Sequence, residues 1–222
     1  QYLREHNARH HRLIRETLDQ FELYQDEWRA FLAWFHQIPL FIEKEHFRIV
    51  HACWDDEAIK RLKTYSSNHC INEDFLHVSA MEGSFEGRLV DKLTRGTVLE
   101  LPNGESILGR DGLVRHMFRT KFWSDQPQTY NDVVFQPDPL PLEMAQRHLS
   151  AIERQQLLHY SLSELPVFVG HYWMEDEPRP IQANIACLDY SAVKYGKLLA
   201  YRMDDEKVLN QDKFIWVDVN RT

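Results

Sequence analysis

Two segments of the chain share one pattern. In residues 47–55, FRIVHACWD, an apolar run ends in His51 and is followed by small Ala52. In residues 166–173, PVFVGHYW, an apolar run ends in small Gly170 and is followed by His171. In layered α/β proteins, sites form beyond the carboxyl ends of buried strands. An imidazole there projects from a rigid element, and its neutral form is a good ligand for a divalent metal. Small neighbours let backbone or ligand approach closely. His51 and His171 are therefore the candidate metal ligands. The structural alternative for either one is a hydrogen-bonded or surface histidine, in a chain that has 12 of them.

A second candidate lies in RDGLVRHMFRTKFW, residues 110–123. Read as one strand, it puts Arg115, Met117, Arg119 and Lys121 on one face. In a chain with 26 basic and 34 acidic residues, a cationic strip suits phosphate, which arginine binds with paired hydrogen bonds. A solvated strand face is the alternative. Trp54, Tyr172 and Trp173 flank the histidines and are read either as a stacking surface for a nucleobase or as packing. Asp189 closes NIACLD and is read as a carboxylate orienting His171 or as a turn residue. Asp55 reads as a helix cap rather than a ligand.

The elements that must position these residues follow from periodicity. Ile14, Leu18, Phe21, Trp28, Leu32 and Phe35 recur at helical spacing within 7–37, with a break near Gln25-Asp26 and Asp26 as the second N-cap. Leu40 to Glu43 and Phe47 to His51 read as two strands around a polar turn. Asp55-Asp56 precede a short helix, EAIKRLKTY. Asn72 caps a helix to about Glu82, and another covers 84–94. Residues 97–123 read as β-hairpins turning at Asn103-Gly104 and Asp111-Gly112. The proline-rich stretch 136–143 is a rigid connector, and 143–160 is helical, with Met144, Leu149, Ile152, Leu157 and Leu158 roughly on one side. PVFVGHYW, NIACLDY, GKLLAYRM and KFIWVDV read as strands. The expected class is α/β (α+β), with sheets stacked in layers.

Composition narrows the function. With 43% hydrophobic and 12% aromatic residues, the 222-residue chain can pack a core. A net charge of −8 opposes binding to a nucleic-acid polymer or to a membrane surface. No apolar run approaches the roughly 20 residues of a membrane span. The first residues are too polar for a signal peptide. Three dispersed cysteines do not make a disulfide framework and favour a reducing cytoplasm. The start at Gln1 suggests that residues precede it.

FLAWFHQIPLFIEKEHFRIVHACWD resembles a block of the metal-dependent phosphoesterases of the calcineurin-like type, the PPP-type phosphatases and symmetrical dinucleoside-tetraphosphatases among them. Ile38-Pro39-Leu40 and Val50-His51-Ala52-Cys53 fill the family's Leu-Pro-Leu-like and Val-His-Gly-Gly-like places. VGHYW resembles its later Gly-His step, and NIACLDYSAVKYGKLLAYRMDDEKV its closing strand pair. The resemblance implies the C-terminal half of a metallophosphoesterase β-sandwich with flanking helices. Residues 1–63 would carry helices and the first strand pair, 64–165 an inserted mixed α/β substrate cap, and 166–222 the closing strands. It implies that His51 and His171 help hold the second of two bridged divalent ions, manganese or iron and zinc. The substrate would be phosphorylated, a nucleotide or a phosphoprotein, with Arg115, Arg119, Lys121, Trp54 and Tyr172 lining its site. The family's Asp-x-His, Gly-Asp-x-x-Asp and Gly-Asn-His signatures do not occur; Ser67-Asn68-His69 lacks the glycine and follows His51. The catalytic histidine is thus expected upstream, and this chain alone is expected to bind metal weakly, hydrolyse little and self-associate. The rival expectation is a noncatalytic interaction module that uses the helical face.

Overall fold

The structure is a computed structural model that describes residues 8–65, 69–109, 112, 114–136 and 140–220. The protein is a mixed α/β chain with several small sheets. It divides into two compact units, one of residues 1–42 and 56–91, the other of 43–55 and 92–222.

In the first unit, α1 (Ala8–Gln20) and α2 (Gln25–Phe35) are separated where the sequence predicts a break. Asp26 is not the N-cap of α2. The helix starts earlier, because Trp28 N donates to Tyr24 O at 3.0 Å, which makes Tyr24 the cap. Asp26 instead lies in the first turn, where a negative charge complements the helix dipole, and pairs with Arg29 at 3.3 Å. Among the described residues the apolar face of α2 is only partly covered, by Phe21 against Trp28 and Phe31; none of its residues is buried, and Phe31, Leu32, Trp34 and Phe35 are all exposed.

β1 (Phe41–Glu43) begins in this unit. The preceding loop is tied down by Leu40 N donating to His69 O at 3.0 Å, and the His69 ring stacks on Phe41 at 4.3 Å. His69 is therefore a packing residue; Ser67 and Asn68 lie outside the described residues. α3 (Asp56–Tyr65) buries Ala58, Ile59 and Leu62. α4 (Glu73–Ser79) is capped as expected, with Phe75 N donating to Asn72 Oδ1 at 2.8 Å, but it stops short of Glu82. α5 (Phe85–Arg95) begins here, with the Arg61 guanidinium 3.9 Å from the Phe85 ring, and ends in the second unit.

The second unit is organised by three short parallel strands, β2 (Arg48–Val50), β8 (Val167–Val169) and β9 (Ile185–Cys187). Arg48 pairs with Val167, and Val167 with Ile185. Parallel strands are usually covered on both faces; the runs VFV and IAC are buried throughout, whereas β2 buries Val50 and leaves Ile49 exposed, so the expectation of a buried strand before His51 is only half met. Crossing from β2 to β8 takes more than a hundred residues, so this pairing is invisible to local pattern. β10 (Lys197–Tyr201) and β11 (Phe214–Asp218) form an antiparallel pair, and Leu209 and Phe214 pack with Phe168 and Ala186.

A second core lies over β3 (Val98–Glu100), β6 (Met117–Thr120) and β7 (Val134–Gln136), with Leu99, Phe118, Tyr130, Val133, Met144 and Leu149 at its centre. β3 pairs with β6 and encloses a smaller hairpin of β4 (Ile107–Leu108) and β5 (Val114–Arg115). Asn103 and Gly104 turn with positive φ of 56° and 68°, but this turn joins β3 to β4, which do not pair, so the hairpin expected there does not form; β3 reaches past it to pair with β6. Asp111 lies outside the described residues, as do residues 137–139 of the connector.

After the one-turn α6 (Tyr130–Val133), the single helix expected over 143–160 is two pieces, α7 (Leu142–Ala145) and α8 (Ala151–Gln156). The break is Ser150, whose hydroxyl accepts Glu153 N while Glu153 bonds Ser150 N, a capping box that starts a new helix. The supposed apolar face is split with it: Met144 and Leu149 are buried, and Ile152 is exposed.

Arg48 ties the start of β2 to its surroundings. Nε donates to Glu43 at 3.1 Å, and Nη1 to Glu164 at 2.8 Å and to Tyr160 Oη at 3.2 Å. The guanidinium lies 4.6 Å from the Trp54 ring centroid. A lysine cannot reproduce this fork. Arg48→Ala is expected to cost about 2 kcal/mol and Arg48→Lys about 1 kcal/mol, read from urea midpoints, because two carboxylates lose their partner in a partly dry site.

Candidate functional site

β2 and β8 are adjacent and parallel, so the residues that follow them emerge on the same side. Gly170 N donates to His51 O at 2.9 Å and extends the pairing one step beyond the strands. The rings of His51 and His171 come within 5.5 Å, inclined at 58°. That spacing is one that two nitrogen ligands of a single ion can have.

His171 is aimed by an unusual turn. Its φ is 67°, and Tyr172 N donates to Gly170 O at 2.7 Å across it, the pattern of a positive-φ γ-turn. Trp173 is also left-handed, at φ 47°. Such conformations cost on the order of 1–3 kcal/mol each and persist only where the surroundings impose them. Here Met174 N donates to Asp189 O at 2.8 Å and anchors the far end.

The two nitrogens of His171 have different fates. One donates to the backbone carbonyl of Arg95, while Nε2 is buried without a hydrogen-bond partner among the described residues. Burial lowers its pKa to about 4; the Arg119 cation and the electrostatic influence of His51 push the same way, and the Arg95 carbonyl and Asp189 oppose them weakly. Near neutral pH the ring is therefore uncharged, with a proton on the nitrogen facing Arg95 and a lone pair on Nε2. A metal-binding histidine is typically held in this way, one nitrogen fixed by a carbonyl and the other open.

The expected substrate residues separate. Arg119, on β6, is half-buried beside Tyr172 and His171, and desolvation pulls its pKa down. Arg115 lies on β5, opposite Ile107, in the other hairpin. The face expected to carry both is interrupted at His116, where one strand ends before the next begins. Lys121 lies beyond β6 and lines a separate cleft of about 320 Å³ with Arg154 and His159.

Trp54 is buried under Arg48 and has no face open to a ligand. Tyr172 is fully buried against Phe122, Trp123 and Phe135, which likewise excludes base stacking. Its hydroxyl has no hydrogen-bond partner among the described residues and faces Gly96, where an added Cβ would come within 3.1 Å and where φ is 78°. Burial raises the phenol's pKa well above its usual value, so it stays protonated.

Asp189 does the turn work: Oδ1 accepts Ser191 N at 3.0 Å, and its influence on His171 is a weak charge effect. Asp55 is buried and takes Lys92 Nζ at 2.6 Å, a pairing that the cap reading did not anticipate. Cys53 donates to Lys92 O, and burial pushes its thiol up to about 12, which makes it unreactive. The contribution of Arg95 escaped sequence reasoning because it is a backbone carbonyl, which no residue type announces.

The donor set accounts for only part of a metal site. The two imidazoles fit one edge of a coordination sphere, but no group of three or more His, Cys, Asp or Glu residues is placed to hold an ion among the described residues. A divalent ion takes four ligands or more. No helix among the described residues is long and apolar enough to cross a membrane. Comparison with protein-family models, curated proteins and solved structures returned no match.

The depressed pKa of His171 has a consequence for stability. The unfolded chain protonates this imidazole below its ordinary pKa of 6.5, whereas the folded chain does so only near 4. The native state therefore loses stability as pH falls from about 6.5 to about 4, by on the order of 1 kcal/mol after discounting for a half-exposed ring. His171→Gln is expected to remove that part of the acid sensitivity, so that the difference in urea midpoint between wild type and variant moves in the variant's favour as pH drops. An NMR titration should place the His171 midpoint near 4.

Proposed function

We propose that the chain is part of a two-metal phosphoesterase in which His51 and His171 bind one of the ions. The reading is carried by one observation: two imidazoles meet at the ends of adjacent parallel strands, one with a buried, unpartnered Nε2 held open by a backbone carbonyl. The ions would supply an activated water and neutralise the phosphoryl oxygens. This chain's contribution is to hold the His171 imidazole neutral and fixed, with His51 facing it, and to place the Arg119 cation near His171, where it favours an anionic substrate. The resemblance of FRIVHACWD and PVFVGHYW to the phosphoesterase blocks supports the same reading, and with it the half-sandwich fold. The remaining ligands lie outside the described residues and would come from another segment of the protein.

A second reading, a noncatalytic partner-binding module, is favoured by the exposed apolar residues of α2. Self-association of the chain would accord with it. Trp34→Glu is then expected to reduce the apparent mass in light scattering, and a wild type that is monomeric at all concentrations counts against it.

Manganese decides the first reading. Titrated into the chain, it should broaden the ring resonances of His51 and His171 together, ahead of the other histidines, with a dissociation constant weaker than micromolar by calorimetry. His171→Ala should abolish the effect at His51. Indiscriminate broadening, or an affinity that survives His171→Ala, overturns the assignment. Assayed with manganese, the product of the complete reading frame is expected to hydrolyse a dinucleoside tetraphosphate or a phosphopeptide; hydrolysis of neither rejects the proposal.

A further inference from the structure

The turn that aims His171 ends at a cleft that the site described above does not use. Its volume is about 440 Å³, within the range of roughly 300–1,000 Å³ typical of small-molecule sites. Trp173, Glu175, Asp176, Ser191, Lys194 and Lys197 line it. Trp173 differs sharply from its neighbour: Tyr172 is 0% exposed, and Trp173 is 46% exposed. The left-handed backbone at Trp173 accompanies this reversal, with one aromatic ring sent into the core and the next into the cleft.

Lys194 Nζ stands 3.5 Å from the Trp173 ring centroid. The lysine ends a single 3₁₀ turn, Ala192–Lys194, flanked by Ser191 and Tyr195 at φ of 57° and 63°. The turn is closed by Lys197 N donating to Tyr190 O at 2.9 Å, past Gly196, where a Cβ would fall 2.0 Å from that carbonyl. Lys197 pairs with Asp218 at 3.7 Å, whereas Lys194 makes no ion pair among the described residues. Lys194 is thus a flexible cation resting on a flat aromatic face.

We infer that this cleft is a nucleobase subsite, in which a purine stacks on Trp173 in place of the Lys194 ammonium and the displaced ammonium pairs with the nucleotide's phosphate. A base stacks on an exposed indole whatever its edge pattern. The carboxylates of Glu175 and Asp176 are acceptors on the same rim and suit a base that carries an exocyclic amine, adenine above uracil. Trp173 lies two residues beyond His171 in the chain, and on this inference the substrate's phosphates extend from the cleft toward the histidines. The inference rests on the phosphoesterase reading and deepens it: the substrate is a nucleotide rather than a phosphoprotein.

Adenosine and ADP test it on the full chain without metal. Adenosine carries no phosphate, so its binding reports on the cleft whatever manganese does at the histidines. Both probes are expected to bind saturably by saturation-transfer NMR and to quench tryptophan fluorescence. Trp173→Ala should weaken both by about tenfold or more, while Trp173→Phe keeps most of the stacking and controls for folding. Lys194→Ala should strengthen adenosine binding by removing the ring's present occupant, and lower the preference for ADP over adenosine by about threefold or more. Absence of saturable adenosine binding overturns the inference, as does binding indifferent to Trp173→Ala. Displacement of adenosine by tetramethylammonium at equal concentration also overturns it, since the cleft would then be a cation site.

Discussion

The pairing of β2 with β8 is the constraint on which the candidate site depends. Two strands from distant parts of the chain run parallel, and one further hydrogen bond, Gly170 N to His51 O, continues their register past the last strand residues. Both histidines then leave the sheet on the same side. The γ-turn at His171 bends the second one back toward the first instead of letting it run on along the strand direction. Its backbone strain is tolerable because the strands on one side and Asp189 on the other leave the turn little freedom to relax.

Burial does the electrostatic work. His171 is uncharged because its surroundings penalise the imidazolium, and the nearby Arg119 and His51 reinforce the penalty. The same low-polarity surroundings keep the Tyr172 phenol and the Cys53 thiol protonated. An uncharged imidazole with one nitrogen committed to a carbonyl is prepared to give its other lone pair to a cation. Arg119 is a permanent positive charge beside it, which disfavours protonation of the ring while attracting an anion.

One turn also sorts two consecutive aromatic residues. Tyr172 closes the core over Phe122 and Trp123, and Trp173 stands in the adjoining cleft under Lys194. A buried and an exposed aromatic ring are thereby separated by a single residue step. Trp54, by contrast, is taken up by Arg48 and serves the fold.

Much of this was legible in the sequence. The run VFV before Gly170-His171 signalled a buried strand, and β8 is buried throughout; FRIV before His51 signalled a strand as well, but β2 buries Val50 and leaves Ile49 exposed. Asn72 as a cap and Asn103-Gly104 as a turn were equally plain, because each acts through bonds or dihedrals local to itself. What local pattern could not decide was which strands pair, or that Ser150 would break a helix where periodicity continued across it. Period-2 spacing put Arg115, Arg119 and Lys121 on one imagined strand, and tertiary pairing assigned them to two hairpins and a loop. The residue types alone determined that imidazoles, guanidinium groups and aromatic rings were available. Only the folded chain decided that the Arg95 carbonyl would set the tautomer of His171 and that Trp173, not Trp54 or Tyr172, would be reachable, because burial and long-range hydrogen bonding are properties of neighbours brought together from far along the sequence.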